Sequence, residues 1–398
     1  MGLYKFKPLP SGRMGTLWTL CPVRGAVLLE YGCMGHMNYA ARAISKAGIN
    51  ACKLYSTHID ETDIALGGID RIRAATARIA RQDRPRVIFF LPSSLPEMIG
   101  TDLPAITKEL QPDFSGTKLI PFGAGNFKAS TAKGVAEALL TLVKTLPVDL
   151  ARTQVPSYNI IGSCADIFSY EADAAEAVRI MRGAFGMSAV CVLTSDTSVT
   201  QIEKLGSAHV NLVIRREGEA AAKHLAERFG TPYVLARPYG TDQTVSWIER
   251  TGELAGLSPD RGFIDNELRA ARRAVSSATS KNLPKLTLGG HVDVVDGIRG
   301  YAESELSLGI GALWCDSPEF ATADIPYFAE DDWARTVAER KNELIMASGD
   351  ALRAAGRDLR MQIANPSADV LLTPGEHPFI GFRGAANLAN LWSGASRR

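Results

Sequence analysis

The chain has 398 residues, 46% of them hydrophobic and 22% charged, with 44 basic side chains against 43 acidic ones and a formal net charge of +1. That balance suits a folded protein with room for two or three cores. It excludes the basic stripe of a nucleic-acid binder, and no run of 18 apolar residues offers a membrane span. The first twenty residues lack the continuous apolar core of a secretory signal, so a cytoplasmic location is expected. Six cysteines stand at positions 21, 33, 52, 164, 191 and 315, with no CxxC pair among them. This argues against a disulfide framework and against a self-contained zinc site. Any metal would draw its ligands from several loops or from more than one chain.

In chain order, short apolar runs rich in β-branched residues alternate with amphipathic stretches. Strands are predicted at 26–31, 51–55, 87–91, 118–121, 158–161 and 189–193, then at 210–214, 233–236, 285–288, 312–315, 360–363 and 369–372. Helices are predicted at 132–145, 171–185, 218–229 and 331–347. The alternation implies an α/β protein of two to three doubly wound, Rossmann-like domains with parallel sheets. A dozen strands overfill one open sheet. The expected units are an N-terminal domain over 1–150, a middle one over 151–280 and a C-terminal one over 281–398. Their boundaries lie near 147–157 and 276–283.

In such sheets chemistry gathers in loops at the carboxyl ends of strands. The loops selected in this way are Gly32-Cys33-Met34-Gly35-His36, Pro92-Ser93-Ser94, Gly162-Ser163-Cys164 and Gly289-Gly290-His291. Cys21 precedes the first strand and Cys33 follows it, both in turns whose small residues admit a bulky inorganic group. Two thiolates in that setting suit an iron–sulfur cluster, although on spacing alone two buried or half-buried free cysteines are the commoner outcome. His58 with Asp60, Glu61 and Asp63 reads as a solvated acidic helix start rather than a metal site. Ser93 or Ser94 reads as a helix N-cap.

Three segments together carry a resemblance. They are Cys21-Pro22-Val23-Arg24-Gly25-Ala26 with Gly32-Cys33, the stretch from Asp60 to Gly68, and Glu97-Met98-Ile99-Gly100-Thr101-Asp102-Leu103. In this order they resemble the nitrogenase component-one family, the molybdenum–iron protein subunits and their relatives. The resemblance continues through Tyr158-Asn159-Ile160-Ile161-Gly162 and Val210-Asn211-Leu212, and ends in His377-Pro378-Phe379-Ile380-Gly381-Phe382. It implies that Cys21 and Cys33 match the first two ligands of an interfacial iron–sulfur cluster, P-cluster-like with eight irons or a 4Fe–4S centre. Ser94 stands where the family has its third cysteine. Gly32, Gly35 and His36 would shape the cluster's surroundings. The family's alpha-type subunit anchors a catalytic cofactor at two positions that here fall on Val213–Arg215 and Ile380, none able to bind metal.

The chain therefore resembles a beta-type subunit with no catalytic residue of its own. It would relay electrons from an ATP-dependent iron protein, itself a 4Fe–4S reductase, to an alpha-type partner, the pair forming a heterotetramer. The chain has no GxxxxGK[ST] loop for nucleotide hydrolysis. Among relatives, a methylthio-alkane reductase that cleaves small thioethers is the leading expectation, followed by a tetrapyrrole reductase or a cofactor-maturation scaffold. A different class of reading is a metal-free small-molecule-binding α/β protein, using Gly289-Gly290-His291 and the loop 238–242.

Overall fold

The computed structural model describes residues 9–49, 53–66, 68–123, 129–279, 283–354, 360–365 and 377–395. Twelve strands form three four-stranded sheets, all pairs parallel. The first holds β1 (Ala26–Tyr31), β2 (Leu54–Ser56), β3 (Val87–Pro92) and β4 (Lys118–Pro121). The second holds β5 (Ser157–Ile161), β6 (Ser188–Val192), β7 (Val210–Val213) and β8 (Tyr233–Leu235). The third holds β9 (Leu286–Gly290), β10 (Ile310–Cys315), β11 (Leu344–Ser348) and β12 (Arg360–Ala364). Each sheet is ordered β2-β1-β3-β4 or its equivalent, so the strand order reverses between its first and third strands. That switch point opens a crevice at the carboxyl ends of those strands.

The strands are near-continuous apolar runs because helices cover both faces of a parallel sheet. In β3 all six residues, Val87 to Pro92, are buried. Side chains alternate between faces. Leu28, Phe89 and Leu91 join one core beneath the helices Gly12–Leu20 and Thr131–Thr145, whereas Val27, Leu29, Ile88 and Phe90 join another with Ile72 and Ile79. The third core spans the second and third sheets.

Ten of the twelve predicted strands match observed ones to within two residues at either end. The strand expected at 51–55 is observed as β2, with residues 51 and 52 outside the described residues, as is the whole strand expected at 369–372. One element differs outright. The helix expected over 331–347 is a helix Glu330–Glu339 followed by β11. Arg340 leaves the helix in an extended conformation (φ −81°, ψ 128°), and Asn342 turns left-handed at φ 60° before the strand begins. Leu344-Ile345-Met346-Ala347 then inserts between β9 and β12, buried on both faces, so its apolar run carries no strand alternation to distinguish it from helix.

The end of the chain crosses back. Helix Gly381–Ala395 packs against helices Tyr170–Phe185, Gly240–Ala255 and Arg261–Thr279 beside the second sheet. Buried Asp173 accepts the N–H groups of Phe379 (2.6 Å) and Ile380 (3.3 Å) at its entry.

Candidate functional site

The first switch point lies between the loops that follow β1 and β3. Cys33 is the N-cap of helix Met34–Lys46, half-buried, and Ser94 opens the short helix Ser94–Met98. The loops pack closely. The Ser93 N–H donates to the Tyr31 carbonyl (2.9 Å), the Gly32 N–H to Thr57 Oγ1 (3.1 Å), and Ser56 Oγ to the Gly32 carbonyl (2.9 Å). A Cβ on Gly32 would stand 2.2 Å from Ser93 Oγ, so only glycine fits there. Gly35 instead faces open space. Across the crevice, His36 Nε2 lies 3.4 Å from Ser94 Oγ.

The floor beneath is polar and incompletely satisfied. Glu30, wholly buried in β1, takes Arg13 on one oxygen at 2.6 Å, while its other oxygen and Ser93 Oγ are buried without a hydrogen-bond partner. Buried polar groups are ordinarily paired. Thiol, imidazole and hydroxyl donors at the rim, open space at Gly35 and orphaned oxygens below form a donor set that fits an iron–sulfur group. On the helix after β1, Met34 and Tyr39 are exposed by 40% and 51%, and at the end of the helix after β3, Met98 and Ile99 are exposed by 77% and 49%.

Of the expected metal residues, Cys33 and Ser94 flank this crevice with His36, Gly32 and Gly35. Cys21 is placed elsewhere. It caps the end of helix Gly12–Leu20 before the amino end of β1, 4% exposed, in the core on the face opposite to the one Cys33 packs against. Six residues of strand span about 20 Å, so this chain does not gather Cys21 and Cys33 into one cluster.

Cys164 and Cys191 pack in that same core, their thiols pushed up to about 12 by burial. Around His58 the acidic residues behave as a helix start. Asp60 accepts from the N–H groups of Thr62 and Asp63, and Arg71 pairs with Asp60 and Asp63.

The second and third switch points meet each other. Arg215, just after β7 and 1% exposed, binds Asp166 through two bonds (2.7 and 2.9 Å) and Glu217 at 2.9 Å. Glu217 pairs in turn with His291 Nε2 at 2.6 Å, beyond the end of β9. Asp293 binds Arg216 and Arg237, each at 2.7 Å. Burial alone would raise the Glu217 carboxyl, but Arg215 and His291 outweigh it and hold it well below the usual range. Burial opposes charging of His291, and the Glu217 carboxylate more than offsets it, leaving its pKa raised.

Glu217, His291 and Asp293 are the one set of three potential ligands gathered within 4.8 Å among the described residues. Their atoms are already taken by arginines and by each other, so the set is an ion-pair network. Sequence reading missed it, because no motif marks Arg215, Glu217 or Asp293. Beside it lies a cavity of about 40 Å3 lined by Trp18, Asp166, His291, Trp314, Asp316 and Trp333 among others, room for a few water molecules. Gly289, Gly290 and His291 border it, but the other loop of the metal-free reading is occupied from within. Glu305 binds the Thr241 N–H (2.6 Å) and Thr241 Oγ1 (2.7 Å). Val213, Arg215 and Ile380 are all buried near this junction.

Among the described residues, no helix is long and apolar enough to cross a membrane. The fold is similar to that of a solved nitrogenase Cp1 structure at pH 6.5, with a TM-score of 0.84 over 100% of this chain and 94% of that one at 16% identity. In sequence the chain is 25% identical to the nitrogenase iron-molybdenum cofactor biosynthesis protein NifE of Clostridium pasteurianum, over 61% of this chain and 53% of that protein. It is 25% identical to the B subunit of the light-independent protochlorophyllide reductase of Jannaschia sp., over 78% and 61%. It is 28% identical to the same polypeptide of Roseobacter denitrificans, over 58% and 42%. The matches thus span about half the length of these curated relatives. The model of the nitrogenase component 1 type oxidoreductases matches residues 11–396, and the chain belongs to that family.

Proposed function

We infer that this chain is the cluster-bearing, beta-type subunit of a nitrogenase-like reductase. An iron–sulfur cluster at the first switch point would pass electrons from an ATP-dependent iron protein to a catalytic centre in an alpha-type partner. The observation that carries the reading is the first crevice itself. Cys33, His36 and Ser94 lie on the two elements that also carry exposed Met34, Tyr39, Met98 and Ile99. Exposed apolar side chains on adjoining elements suit a surface that another protein covers. Cys33 and Ser94 are the sequence candidates that face it; Cys21 enters only through a rearrangement of the turn before β1. The bound cluster would supply one-electron storage, and the chain's residues would hold it and exclude water once the partner covers the rim.

The test is iron and acid-labile sulfide on the complex purified without oxygen from its native host, beside Cys33→Ala and Cys21→Ala variants. Iron in the parent, lost with Cys33→Ala and kept with Cys21→Ala, is the expected result. A well-assembled parent without iron would sink the relay.

The named relatives favour tetrapyrrole reduction or cofactor maturation over thioether cleavage, since they are protochlorophyllide reductase polypeptides and a cofactor biosynthesis protein. Supplying protochlorophyllide or a small thioether with the iron protein and ATP separates the two reductases. A scaffold would hold iron and turn over neither.

A further inference from the structure

We propose that His36 is an iron ligand of this site, donating through Nε2 beside Ser94, so that one imidazole stands where a second thiolate would otherwise be needed. This rests on the cluster-bearing function above. The geometry favours ligation over a simple hydrogen bond. The 3.4 Å from His36 Nε2 to Ser94 Oγ is long against the roughly 2.9 Å of a good N–O hydrogen bond. Two donors about 2.0 Å from one tetrahedral metal stand about 3.3 Å apart.

The two residues are 58 apart in sequence and come from different elements, His36 from the helix after β1 and Ser94 from the short helix after β3. Among the described residues, Ser94 is the one hydrogen-bonding neighbour of the His36 ring. Nothing occupies the space over Gly35, one residue before it. Below, Ser93 Oγ and one Glu30 oxygen are buried without partners. A crevice with orphaned oxygens beneath it is short of an occupant, independently of the long contact.

The chemistry completes the argument. Serine alone is a poor iron ligand at neutral pH, because its hydroxyl must first lose a proton. A neutral imidazole binds iron without that step, and Cys33, half-buried three residues before His36, is the cysteine nearest to it in sequence. Cys21, at the other end of β1, does not reach it. Exchanging a thiolate for an imidazole removes negative charge from the cluster and raises its potential.

The experiment uses the assembled complex, purified without oxygen, with histidine labelled by nitrogen-15. Pulsed electron paramagnetic resonance of the reduced cluster should show a directly bonded nitrogen in the parent. His36→Ala should lose that signal and at least half of the iron. His36→Cys should lose the signal, keep its iron and shift the midpoint potential downward. A parent full of iron with no bonded nitrogen overturns the assignment while leaving the relay function standing. So does His36→Ala with iron content and midpoint unchanged. If the nitrogen signal is absent but His36→Ala still moves the midpoint, His36 is only a positioning residue for Ser94 and ligation is refuted. An assembled parent without iron refutes both readings together.

Discussion

The first sheet and the other two share one strand order, yet their switch points are built in opposite ways. At the first, imidazole and hydroxyl groups meet at the rim, and one buried Glu30 oxygen and Ser93 Oγ below them lack partners. At the second and third, the charged side chains among the described residues meet one another. Arg215, Glu217, Asp166, His291 and Asp293 neutralise one another across the two sheets. Topology supplies a crevice three times; side-chain chemistry decides whether it is closed as a joint or left as a site. A buried ion pair brings uncertain net stability, because desolvation opposes its attraction, but it is costly to break. The joint therefore holds geometry, and the open crevice holds reactivity.

The comparison breaks most readily at the joint. Arg215→Met would strand the carboxylates of Asp166 and Glu217 in the interior and should cost about 3–5 kcal/mol in denaturant unfolding. A loss below about 1 kcal/mol would mean that the network is not the fastening claimed here. At the open crevice Gly32→Ala should cost about 1–3 kcal/mol by overpacking. Ser93→Ala should not rescue it, since Ser93 Cβ would itself lie 2.4 Å from the new methyl. Ser93→Gly should.

The pH dependence sharpens the contrast. The folded pKa of His291 is raised above 6.5, so its contribution is fully present below 6.5 and is lost as pH rises through the folded value. Melting temperature should fall over that window in the parent and lose this component in His291→Gln, whereas His36→Gln should keep it. The smallest effect belongs to Ser93→Ala alone. Removing an unpartnered hydroxyl should be close to neutral or slightly stabilising for the isolated chain, measured by the same unfolding curves. A clear loss would show that Ser93 Oγ has a partner after all.

Much of the fold could be read in advance because parallel strands buried on both faces are short apolar runs bounded by glycine and polar turns, and β1, β3, β4, β5 and β7 are of this kind. β11 escaped because a doubly buried strand and an adjoining helix merge into one apolar pattern, and the left-handed turn at Asn342 leaves only a weak local mark. At the site, the strand-end rule selected the loops of Cys33, His36 and Ser94 along with two others, without joining them. Cys21 entered through the motif it opens and its place before β1, but a strand carries its two ends apart.

By itself, then, the sequence determined the α/β class, most strand positions, the family resemblance and the loops that bear donors. Those properties follow from local periodicity and from short runs of residues, which need no knowledge of distant contacts. Tertiary structure alone decided that His36 meets Ser94, that Cys21 lies on the far side of the first sheet, and that Glu217 and Arg216 tie the second sheet to the third through His291 and Asp293. Each of these depends on which strands neighbour one another and on which face a side chain emerges. Sequence separation is silent there, because the pairing of elements is settled by the burial of the whole chain.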